Sequence, residues 1–161
     1  MLTNAGKYAI RTVLFLAKNA DASRKFSTKE LAKELDVPVH FIAKLLQPLV
    51  KERIISSVKG PKGGFYFTAE NGKKTVCDII HIIEHKPLLS ECFMGLPECG
   101  DENPCPVHHI VAPFKEQILE KFSNMTLAEY AKEIKETGSF LTLVHFDKKN
   151  NPERRKNDAE G

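Results

Sequence analysis

No apolar run in this 161-residue sequence is longer than Val13-Leu14-Phe15-Leu16-Ala17, far below the roughly 18 residues that cross a bilayer. The opening, Met1 to Lys7, has no signal-peptide core. These absences predict a soluble protein that stays in the cytoplasm, away from any membrane. Cysteine is scarce, with four residues, and no repeat is visible. No Walker loop, dinucleotide fingerprint or nucleophile motif occurs, so nothing supports an enzyme. What is present is 42% apolar, 28% charged and 8% aromatic residues, which excludes collagen-like, mucin-like and wholly disordered chains and leaves one ordinary globular domain.

The net charge of +3 hides an asymmetry. Residues 1–76 carry 14 Lys/Arg against 6 Asp/Glu, residues 77–144 carry 5 against 11, and the last 17 carry 5 against 4. The segments stand at +8, −6 and +1, so the first half alone is suited to polyanions.

Ala9, Ile10, Val13, Leu14 and Ala17 at helical spacing predict a first helix over 4–20. Ser27-Thr28-Lys29-Glu30 is a capping box, and Phe26 and Leu31 form a hydrophobic staple around it, which starts a second helix. Leu35-Asp36-Val37-Pro38 ends that helix, and Pro38 suits the first turn of a third, running to about Arg53 and burying Phe41, Leu45, Leu46 and Leu49. Pro48 inside it predicts a kink or a tightened last turn. Ile54 to Val58 and Phe65 to Thr68 read as strands joined by Lys59-Gly60-Pro61-Lys62-Gly63-Gly64. Thr75-Val76-Cys77-Asp78 caps a helix with Val76, Ile79, Ile80 and Ile83 on one face, ending near Pro87, and Cys77 reads as a small buried hydrophobe. His81 and His85 on it read as surface histidines. Val111, Phe114, Ile118 and Phe122 stripe a longer helix, Thr126 to Glu129 cap a last one bearing Leu127, Tyr130, Ala131 and Ile134, and the chain from His145 is polar.

The fold class is therefore mainly α: a winged helix-turn-helix with a two-stranded wing, followed by a long C-terminal dimerisation helix. The expected organisation is a DNA-binding head over 1–87, a cysteine-rich loop over 88–106, the dimerisation and final helices over 107–144, and a disordered tail over 145–161. Candidate contacts to a double-stranded DNA operator are Ser27, Thr28, His40, Ala43, Lys44, Lys59 and Lys62. The third helix presents His40, Ala43, Lys44 and Gln47 away from its apolar face, and the turn tip presents two lysines on a small footprint.

Cys92, Cys99 and Cys105 fall within 14 positions, and His108 follows, giving C-x6-C-x5-C-x2-H. Thiolates and an imidazole on a loop hold iron-sulfur clusters or zinc, and zinc sites usually pair cysteines two to four apart, so a cluster is favoured and zinc stays open. His109 is a substitute for His108 as ligand. Gly6-Lys7-Tyr8-Ala9-Ile10-Arg11, the wing Val58 to Tyr66 and the cysteine triad together resemble the Rrf-type winged-helix transcriptional regulators of IscR, NsrR and RirA type over about residues 1–137. The resemblance implies a homodimeric bacterial transcription factor, a repressor, carrying an iron-sulfur cluster on Cys92, Cys99, Cys105 and His108, [2Fe-2S] in preference to [4Fe-4S]. It would sense iron-sulfur or iron status, nitric oxide, oxygen or redox stress. A zinc-binding or protein-docking cysteine loop is the alternative. The chain departs from that family at Lys7, where NsrR-like members carry an acidic ligand, at Ala43, where IscR-like members carry glutamate, and at Lys59, where arginine is usual.

Overall fold

The computed structural model describes residues 2–85, 89–97 and 100–139. Its elements are α1 (Asn4–Asn19), α2 (Thr28–Leu35), α3 (Val39–Lys51), β1 (Ser56–Val58), β2 (Gly64–Tyr66), α4 (Ala69–Gly72), α5 (Val76–Glu84), α6 (His108–Asn124) and α7 (Leu127–Thr137). Among the described residues, the mainly helical architecture with one antiparallel strand pair, Ser56 opposite Tyr66 and Val58 opposite Gly64, is the expected winged helix.

The helix starts follow from side chains that satisfy orphan backbone donors. Ser27 with Glu30, Thr75 with Asp78 and Thr126 with Glu129 each form a complete capping box. Asp36 takes a left-handed conformation with φ 54° and ends α2. Pro38 sits just outside α3 and not in its first turn, its carbonyl accepting from Phe41 and Ile42. Pro48 is held within α3 as one continuous helix, whose end tightens: Arg53 N bonds to the Val50 carbonyl, three residues back.

The core is built around α1, whose Ala9, Val13 and Leu16 are fully buried and which packs mainly on α5 and α7. Isoleucine and leucine residues Leu31, Leu35, Ile42, Leu46 and Leu49 close the helix-turn-helix beneath it, each worth about 1.5–3 kcal/mol of burial. α7 joins the same core through Leu127 and Ile134, docked by a Leu127 N–H bond to the Lys74 carbonyl at 2.7 Å.

Several expectations need correction. Ile42, not Phe41, is the fully buried residue of the first turn of α3, and Phe41 is half-buried, edge-on to Tyr8 with centroids 5.5 Å apart. The strands are shorter than their β-rich runs, because Ile54 and Ile55 turn into the core before pairing begins. The short helix α4 is an element beyond those the sequence predicts. Cys77 is half-exposed and lies 3.2 Å from Ser123 Oγ of α6, so it is not a core hydrophobe. The basic tail and Cys99 lie outside the described residues.

Candidate nucleic-acid interface and cysteine site

On α3 the buried series Ile42, Leu45, Leu46 and Leu49 faces inward, which leaves His40, Lys44 and Gln47 exposed and Ala43 half-buried on the outer side. Ser27 and Thr28 at the start of α2 are both half-buried. Ser27 is committed to the helix start: its N–H donates to Glu30 Oε2 at 2.6 Å and its Oγ accepts from Glu30 N at 3.2 Å. Its hydroxyl is also drawn to the Glu30 carboxylate, whose charge weakens the pull of this N-terminus on anions.

Lys59 and Lys62 are exposed on either side of the wing tip. The tip closes through Gly63 N to the Gly60 carbonyl at 2.9 Å, and a Cβ on Gly63 would overlap the Val58 carbonyl oxygen. Gly64, at φ 148°, lets the strand pass against the backbone of Phe26. There Phe26 and Phe65 exchange two backbone bonds of 2.9 and 2.8 Å, so the wing is stitched to the residue before the Ser27 cap of α2. The other end of the wing is pinned by Asn71, a residue that sequence reasoning missed. Its Nδ2 donates to the Arg53 carbonyl at 2.9 Å, and its Oδ1 accepts from Thr68 N, Thr68 Oγ1 and Ser56 Oγ at 2.9, 2.9 and 3.0 Å. The only available signal was Thr68-Ala69-Glu70-Asn71, a capping pattern with asparagine as its last member.

In the cysteine segment, Cys92 and Cys105 are both buried, at 7% and 8% exposure. The backbone N–H of Leu96 holds the Cys92 thiol below its usual value. Met94 N–H, the Cys105 side chain and the Lys115 ammonium act the same way, against the opposing effect of burial. Cys92 and Cys105 are thus neighbours in a small nest of backbone donors, closed by Gly95 N to the Cys92 carbonyl at 3.0 Å with Gly95 at φ 77°. Lys115 of α6 ties down this loop through the Glu91 carbonyl at 2.6 Å. His108 opens α6, its backbone N–H bonded to the Cys105 carbonyl at 2.9 Å and its Nε2 lying 3.0 Å from Asp101 Oδ1. The structure therefore sets the Cys92 and Cys105 side chains beside each other, with His108 following at the start of α6 and His109 exposed next to it. Among the described residues, no group of three or more His, Cys, Asp or Glu side chains converges as a metal site.

A family model described as Rrf2, iron-dependent transcriptional regulator, matches residues 2–133. The chain belongs to the Rrf2 family. An HTH-type transcriptional regulator of Aquifex aeolicus is 34% identical over 125 residues, which covers 76% of this chain and 85% of that protein. IscR of Citrobacter koseri is 24% identical over 128 residues, covering 80% and 77%. Among solved structures, CymR of B. subtilis, the global cysteine regulator, is similar at a TM-score of 0.63 and 22% identity over 83% of this chain and 97% of CymR. T. potens IscR is similar at 0.60 and 21% identity over 87% and 92%. These likenesses to solved structures carry the winged-helix fold, and the family match makes the Rrf2 chain a transcriptional regulator. No helix among its described residues is long and apolar enough to cross a membrane.

Proposed function

We propose that this Rrf2-family regulator is a homodimeric, cytoplasmic repressor whose grip on a palindromic operator is set by an iron-sulfur cluster on Cys92, Cys99, Cys105 and His108. We favour [2Fe-2S] over [4Fe-4S]. The observation that carries the reading is the nest around Cys92: two adjoining buried thiols, one of them acidified by backbone donors, with an imidazole starting the next helix. This donor set fits the group. Soft sulfur and imidazole ligands suit iron-sulfur centres and not hard cations, and backbone N–H groups aimed at a thiolate sulfur are what such centres use to tune potential. When bound, the cluster would supply one-electron redox chemistry and sensitivity to oxidants or nitric oxide.

The chain's own residues do the rest. α3 enters the major groove with His40, Lys44 and Gln47 toward base edges and phosphates and the Ala43 methyl toward a thymine methyl, while Lys59 and Lys62 straddle the backbone from the wing. Ser27 and Thr28 meet the phosphate backbone at the start of α2. α6 supplies the dimer contact: none of its residues is buried in the single chain, and Ile110 and Phe114 stand 64% and 60% exposed. The loop reports to the head through Glu84, the last residue of α5, whose Oε1 accepts from Thr3 N and Thr3 Oγ1 at 2.8 and 2.9 Å at the start of α1.

The test is anaerobic reconstitution with iron and sulfide, an absorption spectrum, and selection of bound duplexes from a random library with and without the metal. Visible cluster absorption, lost in Cys92→Ala and Cys105→Ala, together with a palindromic site whose affinity depends on the cluster, is the expected outcome. A colourless protein with stoichiometric zinc would replace the cluster by a zinc staple.

A further inference from the structure

Asp101 and His108 form a pair that the cluster reading leaves without a role. The Asp101 carboxylate is 99% exposed, whereas the His108 side chain it meets is only 12% exposed. The imidazole is therefore set into the cysteine segment with the carboxylate on its outer side. A carboxylate accepts hydrogen bonds, so Nε2, 3.0 Å from it, is the donor of this contact, and Nδ1 is the ring's other nitrogen. The backbone of the same histidine is fixed independently by its N–H bond to the Cys105 carbonyl. Asp101, Cys105, His108, His109 and Glu116 line one open groove, so ring, thiol and carboxylate share a single space.

We infer that Asp101 is a positioning residue for the metal centre: by holding Nε2 it assigns Nδ1 of His108 as the nitrogen that binds iron. The inference rests on the proposed cluster reading with His108 as a ligand. Its physical basis is general to metal-binding histidines, whose second nitrogen donates to a carboxylate or carbonyl that fixes the tautomer, orients the ring and makes the ligating nitrogen a stronger donor. A stronger donor stabilises the oxidised centre, so the pair lowers the reduction potential. The same bond favours His108 over the exposed His109, since His108 is the one that comes with its orientation already set.

The full-length chain is produced with histidine labelled with ¹⁵N at Nδ1 only or at Nε2 only, reconstituted anaerobically with iron and sulfide, reduced by one electron and measured by electron-nuclear double resonance. The strong nitrogen coupling is expected to follow the Nδ1 label. In Asp101→Ala part of the coupling should move to the Nε2 label and the reduction potential should rise. Asp101→Asn, which keeps an acceptor for Nε2, should restore the Nδ1 pattern, a rescue that mere loss of charge or fold would not give. Coupling that follows the Nε2 label in the wild-type chain overturns the inference and leaves His108 as a ligand. An Asp101→Ala protein with the wild-type nitrogen pattern overturns the positioning role. Visible cluster absorption with no strong histidine coupling in the wild-type chain refutes His108 as fourth ligand, and the inference falls with it.

Discussion

Replacing Asn71 by alanine tests how the wing is held to the recognition helix. Asn71 is 3% exposed and its amide serves partners from three places: the Arg53 carbonyl just beyond α3, Ser56 at the start of β1, and Thr68 at the cap of α4. Arg53 itself is held at φ 57°, a left-handed conformation that a non-glycine residue adopts at some cost. Asn71→Ala strands two backbone groups, the Arg53 carbonyl and the Thr68 N–H, at about 1 kcal/mol each, while the Ser56 and Thr68 hydroxyls turn to water at little cost. With some lost packing the total is about 2–3 kcal/mol. For a chain of this size that corresponds to a fall in Tm of about 4–12 °C. Differential scanning calorimetry of wild type, Asn71→Ala and Asn71→Asp checks the reasoning. Asp retains the accepting oxygens but loses the donor to Arg53, so its deficit should include at least the loss of that single bond. Operator affinity, read well below the lower Tm, should also weaken, because the wing loses its fixed relation to α3. A Tm for Asn71→Ala within about 1 °C of wild type would refute the role assigned to this amide.

Gly63→Ala should disrupt the wing tip, since its Cβ would overlap the Val58 carbonyl oxygen; operator binding should fall at least as far as in Lys59→Ala, with the core intact by circular dichroism. Lys59→Ala should cost about 1 kcal/mol in operator affinity and flatten the salt dependence by about one phosphate contact, whereas Lys148→Ala should change neither. Phe114→Asp places a charge on the exposed face of α6, and light scattering should then report monomers that no longer bind the palindromic site; a monodisperse dimer would move the interface elsewhere. Glu30 and Glu129 are held below the ordinary glutamate value of 4.5, chiefly by the Ser27 and Thr126 hydroxyls. Each contributes stability that is present above that pH and lost as pH falls through the lower folded value, because the unfolded chain binds the proton first. Urea titrations from pH 6 to 3 should show that loss, diminished in Glu30→Gln and Glu129→Gln.

The helices were legible because their signals are local. Each capping box places donor and acceptor three residues apart, and each apolar stripe repeats every three or four, so Ser27, Thr75 and Thr126 mark the starts of α2, α5 and α7 without knowledge of the rest of the chain. Boundaries set by tertiary packing were not. Ile54 and Ile55 have strand composition, yet burial against the core removes them from the ladder. Phe41 and Ile42 are adjacent apolar residues, and a period of 3.6 cannot choose between neighbours; the choice is made by Tyr8 of α1, which takes the Phe41 ring. The donor types of the cysteine segment were plain from spacing, but the Leu96 and Met94 N–H groups that acidify Cys92 depend on the turn that Gly95 makes, and residue type alone does not reveal it.

Gly6 shows how a residue can stand in a recognisable motif while the reason for it lies elsewhere in the fold. In the sequence it is the first member of a recognisable opening, and nothing nearby requires glycine, since its φ is not in the left-handed region and it lies inside a helix, where glycine costs up to about 1 kcal/mol relative to alanine. The requirement comes from the far end of α5. A Cβ at this position would overlap Glu84 Oε1, the atom that accepts both hydrogen bonds from Thr3. Glycine gives up helix propensity so that a carboxylate 78 residues away in the chain can lie against the first turn of α1, where the helix dipole favours negative charge. That carboxylate ends the helix from which the chain departs toward Cys92. The close approach at Gly6 thus joins the end of α5 to the start of α1, through contacts that no local sequence window contains.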